Sequence, residues 1–310
     1  MESRGTFFPC AGRHHLRIRG ARRPCCRSRY LGRPLVRIRA TYTFFNPQEK
    51  HRSIPAYRQG DRGTDETRRN GDGFTGIAGG CLGRGEGLLG ILGGTSLLFS
   101  RLPELEPRRV DTPYGPAEVL CGDIALLLRH QQGLPPHRIN FRANLAALAI
   151  LGVDRLVAIG SAGSLKREIP PGSLAIPGDF LSWGECPSIH DHAISHLLPV
   201  LDPAISSTLA KIVPGAHQGG TYAQTRGPRI ETVAEVKALA RVADLVGMTL
   251  ASEATLAGEL GIPFAALCTV DNYAHGMGGE APTWEHILDA SRAHGDRTGA
   301  VVGKIIEVMG

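Results

Sequence analysis

Leu88-Leu89-Gly90-Ile91-Leu92-Gly93-Gly94-Thr95 decides how the rest of the chain is read. A short aliphatic run with no polar residue stops at a glycine pair and a hydroxyl. Uninterrupted apolar character over so few residues marks a strand buried on both faces, the habit of a parallel sheet. The same unit recurs downstream. Residues 155–159 run into Gly160-Ser161-Ala162-Gly163-Ser164, a second small-residue loop; 245–248 run into Thr249; 264–270 run into Asp271-Asn272. Further strands are predicted at 118–120, 124–128, 174–176 and 221–223. Helical spacing occupies 143–151, 233–242, 252–260 and 283–308, and the capping box Thr232-Val-Ala-Glu235 starts the second of these helices. Alternating strands and helices predict an α/β fold, one domain with a central mixed, largely parallel β-sheet flanked by helices. Ligands of such sheets collect at the carboxyl ends of the strands.

Upstream of Leu88 the texture changes. The 310 residues carry a net charge of +6, but residues 1–86 hold 17 Arg and 1 Lys against 7 acids, a balance of +11, which leaves −5 for the remainder. An acidic main domain argues against nucleic-acid binding there. We divide the chain into an Arg/Gly-rich extension, 1–86, and a folded domain, 87–310. The extension lacks periodicity and reads as a nucleic-acid or membrane-surface arm, as a transit peptide, or as a disordered, non-functional stretch ahead of the true start, since Leu82 and Leu88 sit just before the first strand. The longest apolar run, 88–99, is split by Gly90, Gly93 and Gly94 and falls short of the ~18 residues a membrane helix needs. The seven cysteines show no zinc-like spacing and no disulfide framework, so a cytoplasmic setting is expected.

The polar residues at the strand ends have a common chemistry. Gly93-Gly94-Thr95 offers amides and a hydroxyl to an oxyanion or is an ordinary turn; it matches neither GxGxxG nor the Walker loop. Arg129-His130 closes a strand with a planar fork of donors beside an imidazole. Ser161 and Thr249 add hydroxyls, and Met248 is a soft apolar neighbour suited to a sugar face or to the core. Together they suggest one phosphate site without a lysine cluster or a metal. Glu231 stands at a helix entrance, where the dipole alone would favour it. Of Asp271 and Asn272, strand alternation turns only one towards the site. His190, His192 and His196 lack the spaced carboxylates of a metal centre.

Taken in order, Gly90-Ile-Leu-Gly-Gly-Thr95, Val110-Asp-Thr-Pro-Tyr-Gly115, Arg129-His130, Pro135-Pro-His-Arg-Ile-Asn140, Arg142-Ala-Asn144, Gly163-Ser-Leu165, Gly227-Pro-Arg-Ile-Glu-Thr232, Val246-Gly-Met-Thr249 and Asn272-Tyr-Ala274 resemble the trimeric purine nucleoside phosphorylase and methylthioadenosine/methylthioinosine phosphorylase family over 88–310. The resemblance implies phosphorolysis of a nucleoside to free base and ribose 1-phosphate, with inorganic phosphate as co-substrate, no cofactor and no metal. It implies a homotrimer or a dimer of trimers. Thr95, Arg129, His130, Gly160, Ser161 and Thr249 would hold phosphate, and Met248 would pack on the ribose. Glu231 and Asn272 would act on the base, with Asp271 among the substrate contacts. Trp284 and Ile287 would line the 5′ pocket and suit a methylthio group, whereas a 5′-hydroxyl would rather meet His286, or His196 across a subunit boundary. Asn272, where aminopurine enzymes resemble one another in an Asp, implies 6-oxopurines such as inosine, guanosine and 5′-methylthioinosine. An S-methyl-5′-thioadenosine phosphorylase is the alternative, and a basic-tailed nucleic-acid-binding protein the alternative of another class. Three positions depart from the pattern. Gln131-Gln132-Gly133-Leu134 is a shortened loop lacking a second His, Asp271 replaces a usual Thr, and Arg226 replaces an acid or Gln.

Overall fold

The computed structural model describes residues 36–37, 87–278 and 281–310; apart from 36–37, the extension expected over 1–86 lies outside the described residues. In chain order the first elements are β1 (Val36–Arg37), β2 (Leu89–Gly93), β3 (Arg101–Leu102), β4 (Glu106–Thr112), β5 (Gly115–Cys121) and β6 (Ala125–Leu128). There follow α1 (Phe141–Ile150), β7 (Arg155–Ser164), β8 (Leu174–Ile176), β9 (Asp179–Ser182), α2 (Pro203–Ile212) and β10 (His217–Gln218). The last are β11 (Thr221–Gln224), α3 (Val233–Leu239), β12 (Leu245–Gly247), α4 (Leu250–Glu259), β13 (Phe264–Tyr273) and α5 (Trp284–Met309).

β1 pairs antiparallel with β3. The other strands form one 11-stranded sheet. At its centre β6, β2, β7 and β13 lie side by side and parallel. The β8–β10, β9–β11 and β11–β12 pairs are parallel as well. β4–β5–β6 is an antiparallel meander, and β8 and β12 join the centre antiparallel to β13 and β7. This is the mixed α/β sheet that the alternation predicts.

Strand periodicity divides the core in two. Leu89 and Ile91 of β2, with Val157 and Ile159 of β7, point to the face covered by Ile205 and Leu209 of α2 and Val302 and Ile305 of α5. Leu92, Leu156 and Ala158 point to the other, covered by Leu145 and Leu148 of α1 and Leu250 and Leu256 of α4. Burying one such side chain contributes about 1.5–3 kcal/mol, so a strand sandwiched between helices on both faces has no polar position to spare.

Helix starts follow their caps. Asn140 accepts from the Ala143 amide at 3.0 Å ahead of α1. Thr232 and Glu235 form the predicted capping box at α3.

Two sequence expectations change. Gly160–Ser164 is not a loop: β7 runs through it, and β13 continues to Tyr273, with Gly160–Ala162 opposite Cys268–Val270 and Gly163–Ser164 opposite Asn272–Tyr273. Asp271 is the extra residue at a register shift. Small residues serve close packing here: a Cβ on Gly163 would lie 3.3 Å from Asn272 Nδ2 and 3.4 Å from Val246 Cγ1. The second change is a set of unpredicted elements: the strands β1, β3, β4, β9 and β10 and the helix α2. β4 is mostly exposed and charged at the sheet edge, so it carries no apolar signal. Cys186 and Cys268 are free thiols, whereas Cys121 is disulfide-bonded, which the cysteine spacing did not suggest. Among the described residues no helix is long and apolar enough to cross a membrane.

Candidate active site

A cavity of about 470 Å³ opens where β2, β6 and β12 end and β7 and β13 run on past them. Thr95, Arg129, His130, Ser161, Glu231, Met248, Thr249, Asn272, Trp284 and Ile287 all line it. Of the other predicted site residues, Gly160 receives a 3.3 Å bond from Thr269 Oγ1 on its carbonyl, Asp271 lies behind Ser161, and His196 is exposed; none of the three lines the cavity. His286 is exposed and outside the lining as well.

Arg129, only 3% exposed, is the anchor of one end. Its Nε and Nη2 donate to Glu253 Oε1 and Oε2 at 2.5 and 3.2 Å, Nη2 also to the Leu92 carbonyl at 3.3 Å, and Nη1 to the Ile159 carbonyl at 3.0 Å. A guanidinium has five N–H donors. Four are occupied, leaving one on Nη1, beside Gly94, where an added Cβ would lie 2.2 Å from that nitrogen. Gly94 is therefore the residue that lets the guanidinium reach the turn before Thr95. Glu253, 0% exposed, compensates the buried charge, and burial pushes its carboxyl above the usual range.

His130 Nδ1–H donates to the Leu134 carbonyl at 2.9 Å. The imidazole pKa falls to about 4, mainly through burial and also through the nearby Arg129 charge. The ring is thus neutral at pH 7, with Nε2 as an acceptor. The shortened loop that follows is pinned by Gln131, whose side chain accepts from the Glu118 amide at 2.9 Å and donates to the Glu118 carbonyl at 2.8 Å. Thr249 is the N-cap residue of α4, yet its hydroxyl makes no capping bond. It stands at the positive end of the helix dipole with its hydroxyl available to a ligand. Gly247 ahead of it gives way to Tyr222, whose hydroxyl oxygen would lie 2.1 Å from an added Cβ.

At the other end, Glu231 is buried, one carboxylate oxygen accepts from the Thr225 hydroxyl, and its carbonyl accepts from His275 Nδ1–H at 2.9 Å. Asn272 Nδ2 donates to the Tyr273 carbonyl at 2.7 Å, which fixes the amide plane and leaves one N–H and Oδ1 for a ligand. As alternation requires, Asn272 faces the cavity and Asp271 does not. Among the described residues no group of three or more His, Cys, Asp or Glu is placed to hold a metal.

A cavity with an arginine, an imidazole and hydroxyls at one end and a carboxylate and an amide at the other narrows the families that this sheet can represent, and one family model, the phosphorylase superfamily, matches residues 88–307. The chain belongs to the phosphorylase superfamily. A relative from Archaeoglobus fulgidus named "Probable 6-oxopurine nucleoside phosphorylase" is 38% identical over 218 residues, 66% of this chain and 90% of its own. One from Methanocaldococcus jannaschii named "Probable S-methyl-5'-thioinosine phosphorylase" is 35% identical over 216 residues, 65% of this chain and 85% of its own. The solved structure of methylthioadenosine phosphorylase from Schistosoma mansoni in complex with adenine superposes with a TM-score of 0.62 at 23% identity, covering 72% of this chain and 92% of that one; at that identity the likeness is one of fold.

Within this superfamily fold, sequence reading missed two residues. Glu253 gave no signal because it sits in a helix, 124 positions from Arg129, and only packing brings them together. His275 lines the cavity three residues after Asn272. A histidine so close to a strand-end amide was a usable sign.

Proposed function

We propose that this chain is a purine nucleoside phosphorylase, a pentosyltransferase that cleaves 6-oxopurine nucleosides with inorganic phosphate. One observation carries the reading: Arg129, His130, Ser161, Thr95 and Thr249 share a single cavity with Glu231 and Asn272. Phosphate held at the first group attacks C1′ of the ribose. The C1′–O bond forms as the C1′–N9 bond breaks, and the electron pair leaves with the purine. The transition state is a ribosyl cation between two anions, so fixed groups that bind phosphate and the departing base lower the barrier. Met248 packs on the sugar. Asn272 donates its remaining N–H to O6 and accepts from the protonated N7. Glu231 accepts from N1–H, which hypoxanthine and guanine carry and adenine lacks. Leaving that carboxylate unpaired against adenine costs about 1–3 kcal/mol. Phosphate is the co-substrate, and the reaction needs no metal or cofactor.

A second substrate, the 5′-methylthio nucleoside, is favoured by Leu98, Pro282, Trp284 and Ile287 in the cavity lining, an apolar group with neither His286 nor His196 among them. Ile194 and Leu198, 95% and 90% exposed on the segment between β9 and α2, support association of copies, and we read the assembly as a homotrimer. We assign residues 87–310 to the catalytic domain and leave 1–86 outside the chemistry.

A base-release assay with and without phosphate tests the reading across inosine, guanosine, methylthioinosine, methylthioadenosine and adenosine. Phosphate-dependent release of hypoxanthine and guanine, with adenine release at least about tenfold slower, is expected. Release that ignores phosphate, or faster release of adenine, overturns it.

A further inference from the structure

The anion end of the cavity holds more acceptors than an anion site needs. Ser161 lines the cavity, but its hydroxyl hydrogen points away from it, donated to Asp271 Oδ2 behind. Asp271, at 9% exposure, occupies the bulge of β13. With its hydrogen spent, Ser161 Oγ presents lone pairs to the cavity. His130 does the same: its proton is on Nδ1, bound to the Leu134 carbonyl, so Nε2 is an acceptor. The charges do not favour a bare dianion either. The Arg129 charge is already paired with Glu253, and Asp271 adds a carboxylate. Facing Asp271 are the Ser161 hydroxyl from β7, Thr269 on its own strand and His294 from α5, with the Arg129–Glu253 pair across the buried Cys268.

We propose that Asp271 is a positioning residue that turns Ser161 into an acceptor, so that the site selects an oxyanion still carrying a proton. Orthophosphate and arsenate keep at least one proton near neutral pH and can donate it to Ser161 Oγ or His130 Nε2. Sulfate has none to donate and meets two lone pairs. A buried carboxylate accepting through a hydroxyl thereby separates two tetrahedral anions of nearly equal size. This selectivity rests on the phosphate reading given above. Burial also raises the Asp271 carboxyl, so acidification protonates it early, frees the Ser161 hydrogen and admits sulfate.

The test is binding of inorganic phosphate, arsenate and sulfate to the full chain by calorimetry, alongside base release with each anion. The wild type should bind phosphate and arsenate alike and sulfate ~10–100-fold more weakly. The gap should narrow as pH falls. Asp271→Thr, which restores a hydroxyl donor, should bring sulfate to within about tenfold of phosphate, and Asp271→Asn should lie between. Should these variants not fold, Ser161→Ala serves: phosphate affinity should fall and sulfate affinity should not. Wild-type sulfate binding within a few-fold of phosphate, a ratio unmoved by Asp271→Thr, or equal losses for both anions in Ser161→Ala overturns the inference. Where phosphate still drives base release, that failure is confined to Asp271. Absence of both phosphate binding and phosphate-dependent release removes the parent reading with it.

Discussion

The two ends of the cavity are built differently. At the proposed anion end two groups are held by buried partners from distant elements, Arg129 by Glu253 and two strand carbonyls and Ser161 by Asp271, while His130 is held by the Leu134 carbonyl four positions on. At the base end the groups are held locally, Asn272 by the carbonyl of the next residue and Glu231 by Thr225 six positions away. Groups fixed through the core resist change, because removing one leaves a buried charge or donor behind. Groups fixed by their neighbours exchange more freely. On this account the phosphate chemistry is rigid and the base preference is adjustable by single substitutions.

The largest expected effect therefore lies at the anion end. Glu253→Ala strands the Arg129 guanidinium in the core and should destabilise the fold by about 3–5 kcal/mol, read from the urea midpoint, with a rise in KM for phosphate in whatever folds. A loss below about 1 kcal/mol would mean the pair is solvated and the contrast between the two ends is false. The base end should respond with specificity rather than stability. Asn272→Asp should shift the adenosine-to-inosine ratio of kcat/KM by about ten- to a hundredfold while the urea midpoint hardly moves; an unchanged ratio removes Asn272 from the base pocket.

A smaller effect separates the ends by pH. His130 is held near a pKa of about 4, below the ordinary 6.5, so between those values the unfolded chain binds the extra proton and the native one does not. Stability from this group is complete above about pH 6.5 and declines as pH falls towards 4. Asp271 and Glu253, raised by burial, act in the opposite direction. Comparing urea midpoints at pH 7 and 5 for wild type and His130→Gln isolates the histidine. The variant should lose less on acidification, and equal losses would show that the imidazole is not buried neutral.

How far the sequence foretold this architecture depends on the kind of signal. β2 and residues 156–159 of β7 were legible because burial on both faces forces them to be apolar or glycine. β4 was not, since an exposed edge strand with Arg108, Arg109 and Asp111 looks like a loop. The residues that face the cavity directly were legible as strand-end polar groups, and Thr95, Arg129 and Asn272 all line it. What lies behind them was not. Glu253 and the Ser161–Asp271 contact arise from packing between segments more than 100 residues apart, and no local period encodes that. Gly160–Ser164 misled for a related reason: its small residues mark close approach between strands, and composition alone assigns them to a turn.

The central claim is that one oxyanion sits where β2, β6 and β12 end, touched by groups from all three. A crystal structure of the full chain with orthophosphate addresses it directly. The account predicts one phosphate within hydrogen-bond distance of Arg129 Nη1, Thr249 Oγ1 and the Thr95 hydroxyl, with Arg129 still paired to Glu253. Phosphate bound elsewhere, or an Arg129 and Thr249 unable to reach the same ion, would contradict it.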